Sequence, residues 1–311
     1  MTDAASPDDA GADRPVVWCV MACHNRRERT LACLATVQGQ AAIDRVALRT
    51  LVVDDGSTDG TAAAIAARFP EVVIVPGTGS LFWGGAMRRG IDAAIERGAD
   101  ALWLVNDDVA FRPEALARLV DAARHGAVGG PTGSAGTGAG RRWPFPWVVG
   151  AANDPVTGHT TYSGWVRVQK WRPRMRMLAP GDRPVRCDLA SFNSVLLPAA
   201  DYVRLGGIDV HFPHGYGDHD LSRRATRSGI ELFLAPGFVG TCAPNPPPRW
   251  TDPTLSVGER IRDLHSRANR PPGQALRYEF RHYGLAAPLL FLRPYVRIFA
   301  GAVRPGRRRH P

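Results

Sequence analysis

Hydrophobic residues in the first 130 positions occur in short runs that alternate with segments of helical spacing. Apolar runs typical of buried strands occur at residues 16–22, 51–53, 72–75 and 101–105. Between these runs, apolar residues three or four positions apart predict helices, as in the segments 31–37 and 87–95. Strands that alternate with helices at this spacing predict a mostly parallel, Rossmann-like α/β sheet flanked by helices.

The pattern changes after residue 129. A stretch rich in Gly, Ser and Thr at 129–140 predicts a loop, and an ordered block at 189–236 contains a predicted helix at 223–227 and strand at 231–234. We divide the chain into four parts: an acidic disordered tail at 1–14, the first half of the α/β domain at 15–130, its second half at 131–250, and a basic helical extension at 251–311.

Charge and cysteine content narrow the classes of partner. The 311 residues carry a net charge of +10, almost all from arginine, which suits anionic partners such as nucleotide phosphates or an acidic membrane face. No basic stripe stands out before the last segment, so we expect no nucleic-acid binding. The five cysteines form no C-x-x-C pair and are expected to be reduced, in a cytoplasmic chain. No apolar run is long enough for a transmembrane helix.

Candidate chemistry follows the apolar run at 101–105, where Asn106, Asp107 and Asp108 come next in the sequence. Ligands bind at the carboxyl ends of strands in parallel sheets. Two adjacent carboxylates repel unless a cation lies between them, and their hard oxygens suit Mg²⁺ or Mn²⁺. An Asn/Asp turn that only ends the strand is the alternative, and this motif alone does not decide between them.

A second polar motif, Asp54-Asp55-Gly56-Ser57, closes the strand at 51–53 and precedes a helix with several candidate N-caps. A carboxylate at this place can accept a hydrogen bond from a nucleotide base or ribose, although an ordinary turn and N-cap is the simpler interpretation. The chain has no G-x-G-x-x-G after its first strand and no P-loop sequence, which argues against a dinucleotide or P-loop site.

Three motifs in this order resemble the family 2 glycosyltransferases of the GT-A fold. They are Met21-Ala-Cys-His-Asn-Arg26, Val52-Val-Asp-Asp-Gly-Ser-Thr-Asp-Gly-Thr61 and Asn106-Asp107-Asp108. The resemblance covers about residues 16–242. It implies metal-assisted, inverting transfer of a sugar from a UDP- or dTDP-sugar to a saccharide or lipid-linked acceptor, as in bacterial polysaccharide synthesis and rhamnosyl transfer.

The resemblance also implies roles for single residues. Asp108, supported by Asp107, would hold the divalent metal, and Asn106 departs from a strict D-x-D motif because an amide adds no charge. The donor nucleotide would lie in the first half of the domain and the acceptor in the second. The nucleotide pocket would be lined by Ala22, His24, Asn25, Asp54 and Asp55.

The segment Gly79-Ser-Leu-Phe-Trp-Gly-Gly-Ala-Met-Arg-Arg-Gly90 resembles another conserved region of that family. Gly84 and Gly85 are expected to begin a helix whose free N–H groups attract phosphate, with Arg88 or Arg89 adding charge. Glycines that pack the helix closely against the sheet are an equally good interpretation.

Gly217-Asp218-His219-Asp220-Leu221 resembles the family's catalytic block, and a capped helix start is the alternative. By this resemblance Asp218 is the general base that deprotonates the acceptor hydroxyl. His214, His219 and Asp220 are candidate acceptor or metal contacts. The metal-binding histidine that many relatives carry after the next strand is absent, and Cys242, a poor ligand for Mg²⁺, stands nearest to its place.

Residues 276–303 interleave apolar side chains with arginines, and Pro288 and Pro294 are expected to interrupt any helix there. Such a basic amphipathic segment suits the inner, anionic face of the plasma membrane, although a helix that covers the core is the alternative.

Two other functions stay open. A sugar-phosphate nucleotidyltransferase would need a lysine-containing Gly-rich loop after the first strand, which is absent; a non-catalytic basic protein would bind a glycan or nucleic acid.

Overall fold

The computed structural model describes residues 14–40, 44–129, 143–169 and 172–302. The predicted acidic tail, nearly all of the predicted Gly-rich loop and the basic cluster Arg307–Arg309 lie outside these residues. Every residue named in the three family-like motifs lies inside them.

The first half of the domain confirms the predicted alternation of strands and helices. Four strands lie in the order β3-β2-β1-β4, and every neighbouring pair is parallel. The strands are β1 (Val16–Cys23), β2 (Ala47–Asp54), β3 (Val73–Pro76) and β4 (Ala101–Val105). The helices are α1 (Arg27–Gln38), α2 (Thr61–Arg68), α3 (Phe82–Glu96) and α4 (Ala115–Gly129).

The same sheet continues into the second half. Its further strands are β5 (Ala110–Phe111), β6 (Trp147–Asn153), β7 (Thr160–Tyr162), β10 (Val185–Cys187), β12 (Ser194–Pro198) and β13 (Leu232–Thr241). Beyond β4 the order is β12, β6, β13, β10, and β12 is antiparallel to both of its neighbours. A separate three-stranded sheet contains β8 (Gly164–Gln169), β9 (Arg172–Met177) and β11 (Leu189–Ala190).

Strand β4 lies at the centre of this sheet, with every residue buried. Alternate side chains enter two cores: Trp103 joins the cluster on one face, and Leu102 and Leu104 join the cluster on the other. The buried indole of Trp103 donates to the hydroxyl of Ser194 at 3.1 Å, so its N–H is satisfied. Burial on both faces explains why this strand is a continuous apolar run.

Two helices, α5 (Ala199–Arg204) and α6 (Gly217–Arg227), belong to the second half of the domain. The C-terminal extension is helical, as predicted, with α7 (Val257–Leu264), α8 (Pro272–Tyr283) and α9 (Ala287–Ala302). None of the helices in the described residues is long and apolar enough to cross a bilayer. All five cysteines are buried and free, as expected.

The prediction that prolines interrupt the last helix was wrong, because α9 runs continuously through Pro294. Pro288 lies in the first turn, where a missing N–H costs nothing. Pro294 leaves the carbonyl of Leu290 without its helical donor. The guanidinium of Arg270 donates to that carbonyl at 3.4 Å and compensates for the lost bond.

Candidate functional site

Strands β1, β2 and β4 end side by side at one edge of the sheet, called here the carboxyl edge. Cys23 at the end of β1 pairs with Asp54 at the end of β2, and Val20 pairs with Leu104 near the end of β4. The residues that follow these strands are therefore neighbours. The segments 24–26, 54–57 and 106–108 come together here, as the sequence predicted.

Asp107 and Asp108, called here the acid pair, are bridged by a guanidinium group. Arg26 donates from Nη1 to Asp107 Oδ1 and from Nη2 to Asp108 Oδ2, both at 2.7 Å. Asp107 is buried, and its second oxygen accepts from the hydroxyl of Thr30 at 3.2 Å. Burial raises the pKa of Asp107 to about 6, while the positive charge of Arg26 opposes that rise. A cation does lie between the two carboxylates, and it is an arginine.

The fourth oxygen of the acid pair is also engaged, since the thiol of Cys242 donates to Asp108 Oδ1 at 3.7 Å. Burial, helped by the negative charge of Asp108, raises the pKa of this thiol to about 12, so it stays protonated. Within the described residues, no group of three or more His, Cys, Asp or Glu side chains lies close enough to hold a metal ion.

This donor set fits a divalent ion only together with substrate phosphates. Mg²⁺ commonly binds one or two protein carboxylates and completes its shell with phosphate oxygens and water. Asp108 is partly exposed and could supply one such carboxylate if Arg26 released it. His214, His219 and Asp220 lie around α6 and the connection before it, and the described residues do not gather them with the acid pair into a metal cluster.

Asp55 is buried, and both of its oxygens hold backbone. Its Oδ1 accepts from the N–H groups of Thr78 and Gly79 at 3.1 and 2.8 Å, and its Oδ2 accepts from Phe82 N–H at 3.0 Å. Asp55 therefore fixes the loop before α3 and places a negative charge at the start of that helix, which the helix dipole favours. Its neighbour Asp54 accepts from Ser57 N–H at 2.9 Å. Their roles toward a nucleotide stay predictions.

Three residues at the end of β1 lie against the loop that follows β2. His24 Nδ1 bonds to the Asp55 carbonyl at 2.7 Å, and Asn25 Nδ2 lies 3.2 Å from His24 Nε2, which makes Nδ1 the protonated ring nitrogen. Asn25 has a left-handed backbone (φ 49°), and its side chain accepts from Thr58 N–H at 2.7 Å. Ala22 is half-buried and pairs with Val53.

Helix α3 begins at Phe82, before the two glycines expected to open it. Gly84 donates its N–H to the carbonyl of Pro213 at 2.6 Å, and a Cβ at this position would lie 2.3 Å from the carbonyl oxygen of Phe212. The absence of a side chain at Gly84 therefore allows α3 to pack closely against the backbone at Phe212 and Pro213, which agrees with the packing interpretation of this glycine. Gly85 is half-buried, and a Cβ there would lie 3.3 Å from Cβ of Leu81, a tight contact that a shift of a few tenths of an ångström would relieve.

The arginines of α3 lie away from the acid pair. Arg88 interacts with Asp92 and lies near Tyr202 of α5. Helix α5 directly follows β12, whose last residue pairs with Ala101 at the beginning of β4. Arg88 also lines a cavity between β3 and α3, with Pro76 and Leu81, and among the described residues no hydrogen bond or ion pair joins it to the acid pair.

Trp83 connects the end of β4 with the start of α6. Its indole N–H donates to Asn106 Oδ1 at 3.0 Å, so the amide of the third motif faces an aromatic side chain. The ring packs edge-on against Phe192, and a Cβ on Gly217 would lie 3.5 Å from it. The ring of Trp83 therefore lies between the first turn of α6 and the carboxyl edge of the sheet.

Asp218 lies in the first turn of α6 and is partly exposed. Its Oδ1 accepts from the N–H of His219 at 2.7 Å, and its Oδ2 lies 4.0 Å from His219 Nε2. His219 is itself partly exposed, and His214 is exposed with its ring edge-on to Phe82 at 6.4 Å. Asp218 is therefore the carboxylate of this block that solvent can reach.

Asp220 is buried and serves as an anchor between helices. It accepts from Arg224 Nε at 2.8 Å and from Arg281 Nη1 and His282 Nε2, both at 2.9 Å. Burial alone would raise the pKa of Asp220, but the hydrogen bonds from His282 and the two arginines hold it below its ordinary value. Its oxygens are committed to Arg224 of α6 and to two residues of α8, which leaves no open carboxylate for a substrate.

Comparison with known proteins identifies the family. Residues 18–181 match the family model described as glycosyl transferase family 2, which is more than half of the chain. The chain belongs to this family. The matched segment contains the acid pair, Arg26 and Trp83 of the site described above.

Curated relatives and solved structures agree with this family 2 assignment. N-acetylglucosaminyl-diphospho-decaprenol L-rhamnosyltransferase of Mycobacterium tuberculosis is 30% identical over 197 residues, which cover 58% of this chain and 61% of the relative. The chain thus aligns with less than two thirds of that relative's length. S. aureus TarS 1-349 has a TM-score of 0.53 at 9% identity, with 94% of this chain and 75% of that one covered.

GalNAc-T7, in a structure with UDP, GalNAc and Mn²⁺, has a TM-score of 0.53 at 14% identity, with 89% of this chain and 54% of that one covered. At these identities the likeness concerns the fold, and it confirms the expected GT-A architecture for this family 2 chain.

Sequence reasoning missed the partners that complete the site. Arg26 was part of a quoted motif, but the pattern indicated no role for it. It is 81 positions from Asp107 in the sequence, and only the folded structure brings the two together. Its place directly after β1 is the one signal that could have suggested it. Arg281 and His282 of the C-terminal extension carried no local signal for their contact with Asp220.

Proposed function

We propose that this chain transfers a sugar from a nucleoside-diphosphate sugar to a saccharide or lipid-linked acceptor, with inversion at the anomeric carbon. The observation that carries the proposal is Trp83, which donates to Asn106 beside the acid pair and whose ring lies 3.5 Å from where a Cβ on Gly217, beside Asp218, would be. This neighbourhood supports a site in which the acid pair would face the diphosphate and the partly exposed Asp218 would face the acceptor, within a chain of glycosyl transferase family 2.

In the proposed reaction Asp218 accepts the proton of an acceptor hydroxyl. The hydroxyl oxygen forms a bond to the anomeric carbon, and the bond from that carbon to the diphosphate breaks, with its electron pair leaving on the diphosphate. Attack from the face opposite to the leaving group inverts the configuration. Asp218 suits this task because it is reachable from solvent, whereas Asp220 is buried and committed.

A divalent ion, Mg²⁺ or Mn²⁺, is part of the proposal. Asp108 would hold it, with Asp107 in support, and when bound it would neutralise charge on the leaving diphosphate. The support is the chemistry of the donor set, two carboxylates that suit a metal accompanied by phosphate oxygens. The Mn²⁺ present with UDP and GalNAc in GalNAc-T7 is a property of that protein, and it agrees with the proposal.

The donor is proposed to be a UDP- or dTDP-sugar. The named activity of the mycobacterial relative makes a rhamnosyl donor and a diphospho-polyprenol acceptor the first compounds to test. A thermal-shift screen of sugar nucleotides with Mn²⁺ would identify the donor, since a ligand at about 100 times its Kd stabilises the folded state by about 2.7 kcal/mol. Release of the nucleotide with the selected donor would then report activity.

Replacement of Asp218 by Asn tests the base. We expect D218N to bind the donor with unchanged affinity and to lose transfer by about 10²–10⁴-fold, since a placed general base contributes about that much. Asp252→Asn is the matched control, because it makes the same substitution at an exposed carboxylate in the connection between β13 and α7. Transfer by D218N at close to the full rate would show that Asp218 is not the base.

We also propose peripheral contact with an anionic membrane through one face of α9. Five apolar residues spaced alternately four and three apart are each more than half exposed: Leu285, Leu289, Leu292, Val296 and Phe299. The arginines at 293 and 297 are exposed on the same helix. An apolar stripe with flanking arginines is the pattern of a helix that lies in a lipid interface.

Charge favours lipid over a second copy of the chain at this face. Residues 265–311 contain ten arginines and a single acidic residue, Glu279, which is buried. Two copies that met through this stripe would bring arginines together without carboxylates between them. Anionic headgroups supply the missing charge, with about 1 kcal/mol for each arginine near the surface.

Sedimentation with vesicles tests this contact. Vesicles containing phosphatidylglycerol should retain the protein more than neutral phosphatidylcholine vesicles, and L289D/L292D should lose most of that binding. Val156→Asp is the control, since Val156 is even more exposed but lies between β6 and β7. Binding that L289D/L292D leaves unchanged, or a stable dimer lost in that variant, would contradict the proposal.

A further inference from the structure

The guanidinium of Arg26 occupies the place between the two carboxylates where a divalent cation is expected. Its two nitrogens reach one oxygen of each aspartate at 2.7 Å. A planar guanidinium with several N–H donors can bind two carboxylates at once, which a single ammonium group cannot do in the same geometry. The repulsion between Asp107 and Asp108 is therefore compensated inside the protein.

The two contacts of Arg26 are not equivalent. Asp107 is almost fully buried and also accepts from Thr30, whereas the side chain of Asp108 is 25% exposed. Arg26 itself is 36% exposed and comes from the connection between β1 and α1, so its side chain has room to move toward solvent. Its bond with Asp108 is the contact that an incoming ligand can reach and exchange.

We propose that Arg26 is an internal counter-ion that occupies the cation position of the acid pair until the donor binds. The guanidinium and a divalent ion exclude each other at Asp108. When a metal and a nucleoside diphosphate enter together, Arg26 leaves Asp108 and donates to the diphosphate. The exclusion concerns the free protein, while the contact with the diphosphate rests on the proposed function.

The exclusion is tested by titrating Mn²⁺ in the absence of nucleotide and measuring free Mn²⁺ by electron paramagnetic resonance. We expect Arg26→Gln to bind Mn²⁺ about 10-fold more tightly than the unmodified protein, within the usual range of coupling between two ligands. Arg27→Gln is the matched control, because Arg27 pairs only at the surface with Glu28, and its Mn²⁺ affinity should not change. Adding Asp108→Asn to Arg26→Gln should remove the gain.

Equal Mn²⁺ affinity in R26Q and the unmodified protein, with circular dichroism showing both folded, would overturn the exclusion. If R26Q does not fold, Arg26→Lys decides, because lysine keeps the charge but offers one nitrogen on a shorter side chain in place of the two that Arg26 uses. R26K must then bind Mn²⁺ more tightly than the unmodified protein, and equal affinity overturns the exclusion.

The contact with the diphosphate is tested with UDP and dTDP at saturating Mn²⁺. Here R26Q should bind the nucleotide at least about 10-fold more weakly, since it lacks a charge-assisted hydrogen bond. The same substitution thus strengthens metal binding alone and weakens nucleotide binding. Unchanged nucleotide affinity would overturn this second half. Failure of D218N to lose transfer would count against the proposed base and leave both results on Arg26 unaffected.

Discussion

Replacing Arg281 by Met should destabilise the protein by removing a charge that two aspartates share. Arg281 donates from Nη1 to the buried Asp220 at 2.9 Å and from Nη2 to Asp209 at 2.6 Å. Methionine keeps much of the aliphatic packing and removes the guanidinium, including its cation–π contact with the ring of Phe212. The substitution therefore tests the charge and its hydrogen bonds more than the volume.

The expected cost follows from burial. Removing one partner of a fully buried ion pair typically costs about 3–5 kcal/mol. Asp220 keeps Arg224 and His282 as donors, and the side chain of Arg281 is 29% exposed, so we reduce the expected cost to about 2–3 kcal/mol. For a chain of this length about 2 °C in Tm corresponds to 1 kcal/mol, which predicts a fall of about 5 °C.

Urea unfolding followed by circular dichroism measures this cost. Arg277→Met is the matched control on the same helix, because Arg277 lies 3.6 Å from Asp209, is more exposed and should cost less than about 0.5 kcal/mol. In a double-mutant cycle, Asp220→Asn should cost less in the R281M background than alone, since a neutral amide needs no cation. A cost for R281M within about 0.5 kcal/mol of zero would refute the reasoning.

Two further predictions concern packing and pH. Gly84→Ala should destabilise by several kcal/mol, since its Cβ would meet the Phe212 carbonyl at 2.3 Å, whereas Gly85→Ala should be nearly neutral; denaturant unfolding compares them. Burial lowers the pKa of His282, so below about pH 6.5 the unfolded chain binds a proton that the fold rejects, and this residue destabilises the fold on acidification. Burial raises the pKa of Asp107 to about 6, so this carboxyl acts in the opposite direction below about pH 6. His282→Gln removes only the first effect and should lose less stability than the unmodified protein between about pH 8 and about pH 5.5; equal losses in unfolding curves would contradict the assignment.

The parallel half of the fold was predictable because its signals are local. Each buried strand is an apolar run, and each helix between them has apolar residues at helical spacing. The direction of β12 was not predictable, because a strand buried on both faces gives the same apolar run whether it lies parallel or antiparallel. The continuity of α9 through Pro294 depends on a hydrogen bond from the guanidinium of Arg270 to the carbonyl of Leu290, and no local sequence pattern predicts this bond.

The sequence was enough to predict which segments meet at the site. It was not enough to predict which atoms of those segments form hydrogen bonds. Asp54, Asn106 and their neighbours follow strands, so their meeting at one edge follows from topology. Two sets of hydrogen bonds could not be predicted: those from Arg26 to the acid pair and those from backbone N–H groups to Asp55. They require atoms to be placed to within a few tenths of an ångström, and only the packing of the folded chain determines positions so closely. Gly84 shows the same limit, because a glycine for phosphate and a glycine for packing have the same sequence pattern.

The antiparallel placement of β12 beside β4 has a consequence for how the substrate range of such a protein can change. An antiparallel neighbour begins where β4 ends: Ser194 pairs with Val105, and the carbonyl of Asn193 faces the N–H of Asn106. The connection that leads into β12 therefore arrives at the acid pair from the second half of the chain. Insertions or exchanges there can reshape the wall opposite the proposed donor site while β1, β2 and β4 keep their register, so under the proposed function acceptor choice can change without a change in donor recognition.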